Sequence, residues 1–315
     1  MISVILPVHN GSSTILKTLQ CLFSQSRLPE ELLIIDDRSI DDSIKKAEAF
    51  LKIQAKKIKC RIIRHSQQKG LAFSYNEGIK AAKGKLIVTL HQDVILKKDS
   101  LEKLIAPLKN KNVVASYHSV IHPFEIWNQY NFWEKVYFAR LVGKRFSGLD
   151  GKFDCFKKEA LQKIGFFDEK RFRTAGEDGD VFFKLQQIGQ VVLSKAEIIH
   201  LHKIDTQFGL REIIYKQAQY SEVQGVLLRW GRIRTIKGFL RAFFKEILLG
   251  AIFFPYLRVL GLFLVAIYVF FYSKIIYLKE YKNPRFLLVP FLNFFLLFVS
   301  LFYSFKGFIY GKQKI

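Results

Sequence analysis

Through residues 2–90, short apolar runs alternate with stretches of helical spacing. Residues 2–8 (ISVILPV) are rich in β-branched side chains and read as a strand that stops at Pro7. Between 12 and 24, Ile15, Leu19 and Leu22 recur on one helical face. A second run, LLII at 32–35, ends on Asp36 and Asp37. Residues 41–53 look helical, 60–63 form a third run and 71–82 a further helix. A fourth run, LIVTL at 86–90, ends on His91, Gln92 and Asp93. Strands alternating with helices predict an α/β domain with a largely parallel sheet, whose ligands bind beyond the carboxyl ends of the strands. Asp37 and Asp93 both fall there.

From 113 to 200 the pattern is less regular. It includes an aromatic-rich stretch, FEIWNQYNFWEKVYF at 124–138, and GEDGD at 176–180 leading into a helix with Val181, Leu185 and Ile188 on one face. Residues 229–245 are basic and amphipathic. Two apolar stretches follow, 247–272 with Arg258 as its single charge and 286–305 with none. A bilayer core takes about 20 apolar residues of helix, so both stretches are long enough to span it as a hairpin, buried core helices being the alternative. The basic residues on either side favour both termini in the cytoplasm.

Composition sharpens the picture in two places. Fifty Lys and Arg stand against 27 Asp and Glu, a net charge of +23 that attracts polyanions, anionic lipid or phosphate-bearing substrates. The apolar tail favours a membrane over nucleic acid, for which no recognised motif appears. The three cysteines form no C-x-x-C pair and read as ordinary buried thiols. The start, MISVILPVHNG, reads as a strand rather than a signal peptide.

Four constellations can carry chemistry. Asp36-Asp37 at the second strand end can accept hydrogen bonds from a base or ribose, though a turn or helix cap accounts for either acid alone. Asp93 at the fourth strand end can hold a hard divalent cation, Mg²⁺ or Mn²⁺, or simply cap the strand. Three acids within 177–180 exceed what capping needs, and a carboxylate at a helix N-terminus is favoured in its ionised form, ready to act as a base. His200 and His202 point to one side of a strand and can reach a metal.

In their order and spacing these residues resemble the family 2 glycosyltransferases of the GT-A fold. The resemblance runs through ISVILPVHNGSSTILKTLQCLFSQS, ELLIIDDRSIDDS and GLAFSYNEGIKAAKGKLIVTLHQDV, and resumes at FDCFKKEALQKIGFFDE, AGEDGDVFFKLQQIG and EIIHLH. It implies that Pro7 lies under the nucleotide, Asp37 contacts the base, Asp93 is the metal-binding last acid of a D-x-D motif, Asp178 is the catalytic base, and His200 completes the metal site. Asn76 is grouped with the nucleotide-binding residues. His91 replaces the first acid of D-x-D, which is expected either to weaken metal affinity or to give His91 a ligand or ribose contact. The Q-D form with H-x-H downstream resembles the branch containing rhamnosyltransferases. VQGVLLRW at 223–230 lacks the spacing of the processive Q-x-x-R-W motif, which argues against polymer synthesis.

The expected architecture is therefore a Rossmann-like GT-A domain at 1–228, a basic interfacial segment at 229–246, and a two-helix transmembrane hairpin at 247–315. The expected activity is inverting transfer from a nucleotide-diphosphate sugar, with a divalent cation, to a lipid-linked or cell-surface glycan acceptor. The catalytic domain would face the cytoplasm on a multi-pass membrane protein. The alternative is an inactive, membrane-anchored nucleotide-sugar-binding scaffold.

Overall fold

The computed structural model describes residues 1–54, 58–172, 175–201 and 208–314 of the chain. In chain order its first elements are β1 (Ile2–Val8), α1 (Ile15–Phe23), β2 (Glu31–Asp36), α2 (Ser43–Gln54), β3 (Lys59–Arg64), α3 (Leu71–Ala81), β4 (Leu86–Thr89), β5 (Val94–Leu96), α4 (Ser100–Ile105) and β6 (Val113–Ile121). There follow α5 (Phe124–Trp127), α6 (Phe132–Phe138), β7 (Arg145–Ser147), β8 (Cys155–Lys157), α7 (Lys158–Lys163), α8 (Glu177–Gln186) and β9 (Gln190–His200). The last are α9 (Leu210–Arg229), α10 (Ile236–Ala242), α11 (Phe244–Ala251), α12 (Arg258–Phe271), α13 (Lys274–Lys279) and α14 (Val289–Tyr310). They form two compact units, Met1–His122 with Lys144–Lys203, and Pro123–Gly143 with Ile204–Ile315.

The first unit is built on a nine-stranded sheet in the order β3-β2-β1-β4-β8-β6-β9-β5, with β7 paired to β6. Every residue of β1 and β2 is buried. That is why these strands read as continuous apolar runs, since both faces of the sheet are covered. Alternate residues serve opposite cores. Val4, Leu6 and Val8 pack with Ile15, Leu19 and Leu22 of α1, whereas Ile5 packs with Ala72, Tyr75 and Ile79 of α3.

The expectation of a largely parallel sheet holds for half of it. β3, β2, β1 and β4 are parallel, but β8 runs antiparallel to β4 and β6, and β5 antiparallel to β9. The helix after GEDGD is shorter than its periodicity suggests. It ends at Gln186, and Ile188 is exposed beyond it.

Pro7 explains how the crevice opens. Ile5 accepts from Leu90 N, so residues 5 and 7 turn their backbone polar groups toward β4. Pairing with β4 ends at Ile5 and Thr89, so the N–H that Pro7 lacks would face a side where the ladder has already parted. On the other side β1 stays paired to β2 through Val8 and Asp36.

The second unit is helical, and its tail departs from a two-helix hairpin. The apolar stretch 247–272 is broken between α11 and α12, with turns at 252–257. Pro255 lies in that break and supplies no backbone donor to continue a helix. α12 has 14 residues, about 21 Å of helix at 1.5 Å per residue and short of a bilayer core. A single helical segment, Pro284–Tyr310, is long and apolar enough to cross a membrane among the described residues, with a mean hydropathy of 2.3.

α14 is two-sided. Phe291, Phe295, Phe302 and Phe305 are exposed, while Asn293, Ser300, Ser304 and Gly307 are buried. Its buried stripe packs along α9, where Ser221 Oγ meets Ser300 Oγ at 2.9 Å and buried Glu222 pairs with Lys306 at 3.1 Å. The two backbones approach so closely that a Cβ at Gly225 would lie 2.0 Å from Ser304 O, and one at Gly307 would lie 2.0 Å from Glu222 O.

Candidate active site

The carboxyl ends of β1, β2 and β4 enclose a cavity of about 230 Å³, lined by residues that include Pro7, His9, Asp37, Gln68, His91 and Asp93. Asp37 is anchored rather than loose at its edge. Its N–H donates to Val8 O at 2.8 Å. Its Oδ1 accepts from Lys69 N at 2.7 Å and faces His65 Nδ1 at 2.8 Å, and its Oδ2 accepts from Gly70 N at 2.8 Å. Burial opposes the charge, but the donated hydrogen bonds from Lys69, His65 and Gly70 outweigh it and hold the carboxyl below its ordinary range. His65 is in turn fixed by Glu77 Oε2 at 2.5 Å.

At the opposite edge, the antiparallel pairing of β5 with β9 sets Val94 against His200. That register brings together residues more than a hundred positions apart. His200 Nε2 lies 3.2 Å from Asp93 Oδ1. One ligand atom each from His91, Asp93 and His200 falls within 4.8 Å of the others. His91 Nε2 is buried and has no hydrogen-bond partner among the described residues. Burial pushes His91 down to about 4, against the pull of Asp93, so the ring is neutral with a lone pair to offer. Gly151, at φ +77°, keeps the space in front of it open, because a Cβ there would stand 3.6 Å from His91 Nε2. Two imidazoles and a carboxylate with an orphaned ring nitrogen fit a divalent cation. His202, the other histidine of H-x-H, lies outside the described residues.

Asp178 occupies the first turn of α8, after Gly176 in the left-handed region at φ +91°. Its Oδ1 accepts from Gly179 N at 2.7 Å. The helix terminus alone would favour the ionised form, yet the site works the other way. Burial first, and then the Asp150 carboxylate, raise Asp178 to about 6. Its neighbour Glu177 is raised further, to about 8, by burial and by Asp178, and its Oε2 has no hydrogen-bond partner among the described residues. Asp180 is buried and paired with Lys184 at 2.5 Å. The three acids are thereby separated into a strongly raised carboxyl, one raised to about 6 and an ion-paired anchor.

Asn76, expected beside the nucleotide, is buried on α3 with its side chain engaged elsewhere. It donates to Phe167 O at 2.9 Å and accepts from Phe167 N at 3.0 Å. It holds the turn after α7, because helical spacing points it away from the face that carries Gly70 and Ser74 to the cavity.

The motif reading passed over a third group. Asp150, Lys152 and Asp154 lie on the turn before β8, with His118 from β6 buried against them. His118 Nδ1 faces Asp154 Oδ1 at 3.1 Å, and Lys152 donates to Asp150 at 2.7 Å. Burial works against a charged His118, but the Asp154 hydrogen bond and the Asp150 charge outweigh it and raise the group. Tyr75 OH donates to Gly151 O at 2.9 Å and ties the turn to α3. The Lys152 charge acts on both His91 and Asp178, and Tyr75 feels both Glu177 and Asp93. The metal-type cluster and the candidate base therefore border one acidic cleft. The acid-x-Lys-x-acid alternation at 150–154 was the available signal for it.

A half-parallel sheet with a crevice between β1 and β4, an acid at each edge and a raised carboxylate beside it defines a sugar-nucleotide transferase of GT-A type. Residues 3–165 match the glycosyl transferase family 2 model, and the chain belongs to that family. It is 26% identical over 164 residues to glycosyltransferase GlyG of Streptococcus pneumoniae serotype 4, covering 52% of this chain and 48% of GlyG. It is 25% identical over 217 residues to the amylovoran biosynthesis glycosyltransferase AmsB of Erwinia amylovora, covering 66% of this chain and 71% of AmsB. The chain thus spans about half the length of the first relative. Among solved structures, the mannosyltransferase PcManGT of Pyrobaculum calidifontis, in complex with GDP-Man and Mn²⁺, superposes with a TM-score of 0.62 at 16% identity. That likeness covers 96% of this chain and 86% of PcManGT, and establishes the shared fold.

Proposed function

We propose that the protein transfers a sugar from a nucleotide-diphosphate sugar, with inversion, to a lipid-linked or cell-surface glycan acceptor at the cytoplasmic face of a membrane. The observation that carries this is the His91–Asp93–His200 cluster at the edge of the nucleotide-sized cavity. Asp37 and Pro7 receive the nucleoside. Asp93 and His200, with His91 beside them, hold Mg²⁺ or Mn²⁺. When bound, the cation neutralises charge developing on the departing diphosphate.

Asp178 takes the proton of the acceptor hydroxyl as that oxygen attacks the anomeric carbon. A base raised to about 6 is close to the operating pH, where proton transfer is most effective. Glu177 stays protonated and leaves the cleft one charge lighter. The membrane part of the reading is supported by the apolar Pro284–Tyr310 segment and by the basic stretch at 229–245 before it.

The test is a panel of nucleotide sugars offered to the purified chain in detergent, with and without Mn²⁺, scored for donor hydrolysis and transfer. Metal-dependent turnover of one donor supports the reading. Binding without any turnover, for every donor and acceptor fraction, would return the scaffold alternative.

A further inference from the structure

The helical unit encloses a second cavity, of about 50 Å³, whose lining includes Tyr137, Arg140, Gln217, Tyr220, Tyr272 and Asn293. Its polar groups stand apart from the apolar clusters that surround it. Arg140, just after α6, forms no ion pair among the described residues. Lys245, in the first turn of α11, is only 7% exposed. Its ammonium donates to Gln217 Oε1 and lies 5.4 Å from the centre of the Tyr272 ring. Gln217 turns that oxygen to the lysine because its own N–H groups go to Ser221 Oγ at 2.7 Å and Ser300 Oγ at 3.3 Å.

The acid nearest in sequence is committed elsewhere. Glu246 Oε1 accepts from the hydroxyls of Ser300 and Ser304, each at 2.7 Å. Burial and the Arg140 guanidinium together push Lys245 down to about 8, with Glu246 opposing them. Arg140 lines this small polar space, and Lys245 stands behind its wall against Gln217 and Tyr272, with no ion pair to a carboxylate for either cation among the described residues. A desolvated ammonium with neutral partners is costly, and a second charge of the same sign adds to the cost. An anion placed between them removes both penalties. Phosphate suits the guanidinium fork, which binds it through two parallel hydrogen bonds.

We propose that this cavity binds a phosphate group carried on an apolar chain. Arg140 grips the phosphate oxygens, Lys245 supplies the second charge, and the Tyr137 and Tyr220 hydroxyls complete the donor set. The cavity is small, and Val136, Ile213, Leu292 and Leu296 give it apolar walls against which a hydrocarbon can lie. Identifying that amphiphile with the lipid-linked acceptor rests on the function proposed above.

The test uses the full chain in uncharged detergent micelles, with farnesyl phosphate as the probe and farnesol, inorganic phosphate and phosphatidylglycerol as comparators. Arg140→Gln changes an exposed side chain, so its melting temperature should match the parent. Lys245→Met is the second variant. Farnesyl phosphate affinity should fall at least about tenfold in Arg140→Gln, as expected for losing a charged hydrogen-bond donor, with farnesol uptake unchanged. Nucleoside diphosphate binding is measured on the same samples and should not move. Equal farnesyl phosphate affinity in parent and Arg140→Gln overturns the site. Inorganic phosphate binding as tightly as farnesyl phosphate overturns the apolar-chain requirement. Phosphatidylglycerol binding equally well overturns the acceptor as the source of the phosphate. Arg140-dependent farnesyl phosphate binding in a protein that transfers no sugar upholds the site while sinking the proposed function.

Discussion

His200 Nε2 stands 3.2 Å from Asp93 Oδ1 because β5 and β9 pair antiparallel with Val94 opposite His200. A four-residue excursion after β4 and the far end of a strand more than a hundred residues later make one candidate ligand set. Asp93→Asn should keep the fold and abolish Mn²⁺-dependent binding of nucleoside diphosphate in calorimetry. His200→Ala should weaken the same binding without removing it. Metal-dependent affinity at parental strength in Asp93→Asn would falsify the metal assignment.

Asp178→Asn keeps shape and removes the base. Transfer should fall by ~10²–10⁴-fold with donor affinity little changed. Glu177→Gln is the informative partner, because Glu177, raised to about 8, is neutral at physiological pH already. Its transfer rate should stay within a few-fold of the parent, on the order of the small effects of isosteric neutral replacements. A collapse in Glu177→Gln with an active Asp178→Asn would reverse their roles.

The pH profile follows from the same pair. Asp178 works only when deprotonated, and its raised value of about 6 means that the working form is lost as pH falls through about 6. The rate at low donor and acceptor concentration should therefore rise with pH through that region and flatten above it. A profile that is flat from pH 5 upward would show that a group with an ordinary carboxylate value serves instead, as it would if helix-end stabilisation dominated.

Asp37 holds Lys69 N, Gly70 N and His65 on its two oxygens. Asp37→Asn keeps one acceptor oxygen but brings a donor amide toward N–H groups that are donors themselves. Nucleoside diphosphate binding should weaken even without a sugar, and urea titration should show a modest loss of stability. An effect on acceptor KM alone would place Asp37 outside the nucleotide site.

Gly225→Ala and Gly307→Ala each drive a Cβ to 2.0 Å from a backbone carbonyl oxygen of the facing helix. Either should destabilise the helical unit by about 1–3 kcal/mol, the range for overpacking a close contact. Gly250→Ala is the control, since a Cβ there meets nothing within 4 Å. It should be neutral or gain up to about 1 kcal/mol of helix propensity. Thermal melts in detergent separate the three.

Much of the cavity lining was readable because it depends on local chain order. A strand must end where its apolar run ends, and Asp37, His91 and Asp93 stand at those ends. The acidic cleft was less readable because its electrostatics are assembled from distant segments. Asp150 raises Asp178 across the cleft, and no local feature of GEDGD announces that neighbour. Asn76 was misplaced for a related reason: its motif neighbours face the cavity, but the helix turns its amide to Phe167. In the tail, hydropathy registered the run of apolar residues and was blind to the missing donor at Pro255. It was equally blind to the polar stripe of α14, whose partners lie on α9, α11 and α12.

That stripe carries a consequence for how the protein is made. Ser300, Ser304 and Lys306 take hydrogen-bond or ion-pair partners from α9 and α11, and Lys306 also lies over the Tyr303 ring of α14. A translocating machinery that released the last apolar segment alone into lipid would strand those groups in hydrocarbon. The final helix therefore depends for its settled state on segments synthesised well before it. On the membrane reading proposed above, assembly of the tail becomes a folding step that follows synthesis, and damage to α9 should be felt first as loss of the protein from the membrane fraction.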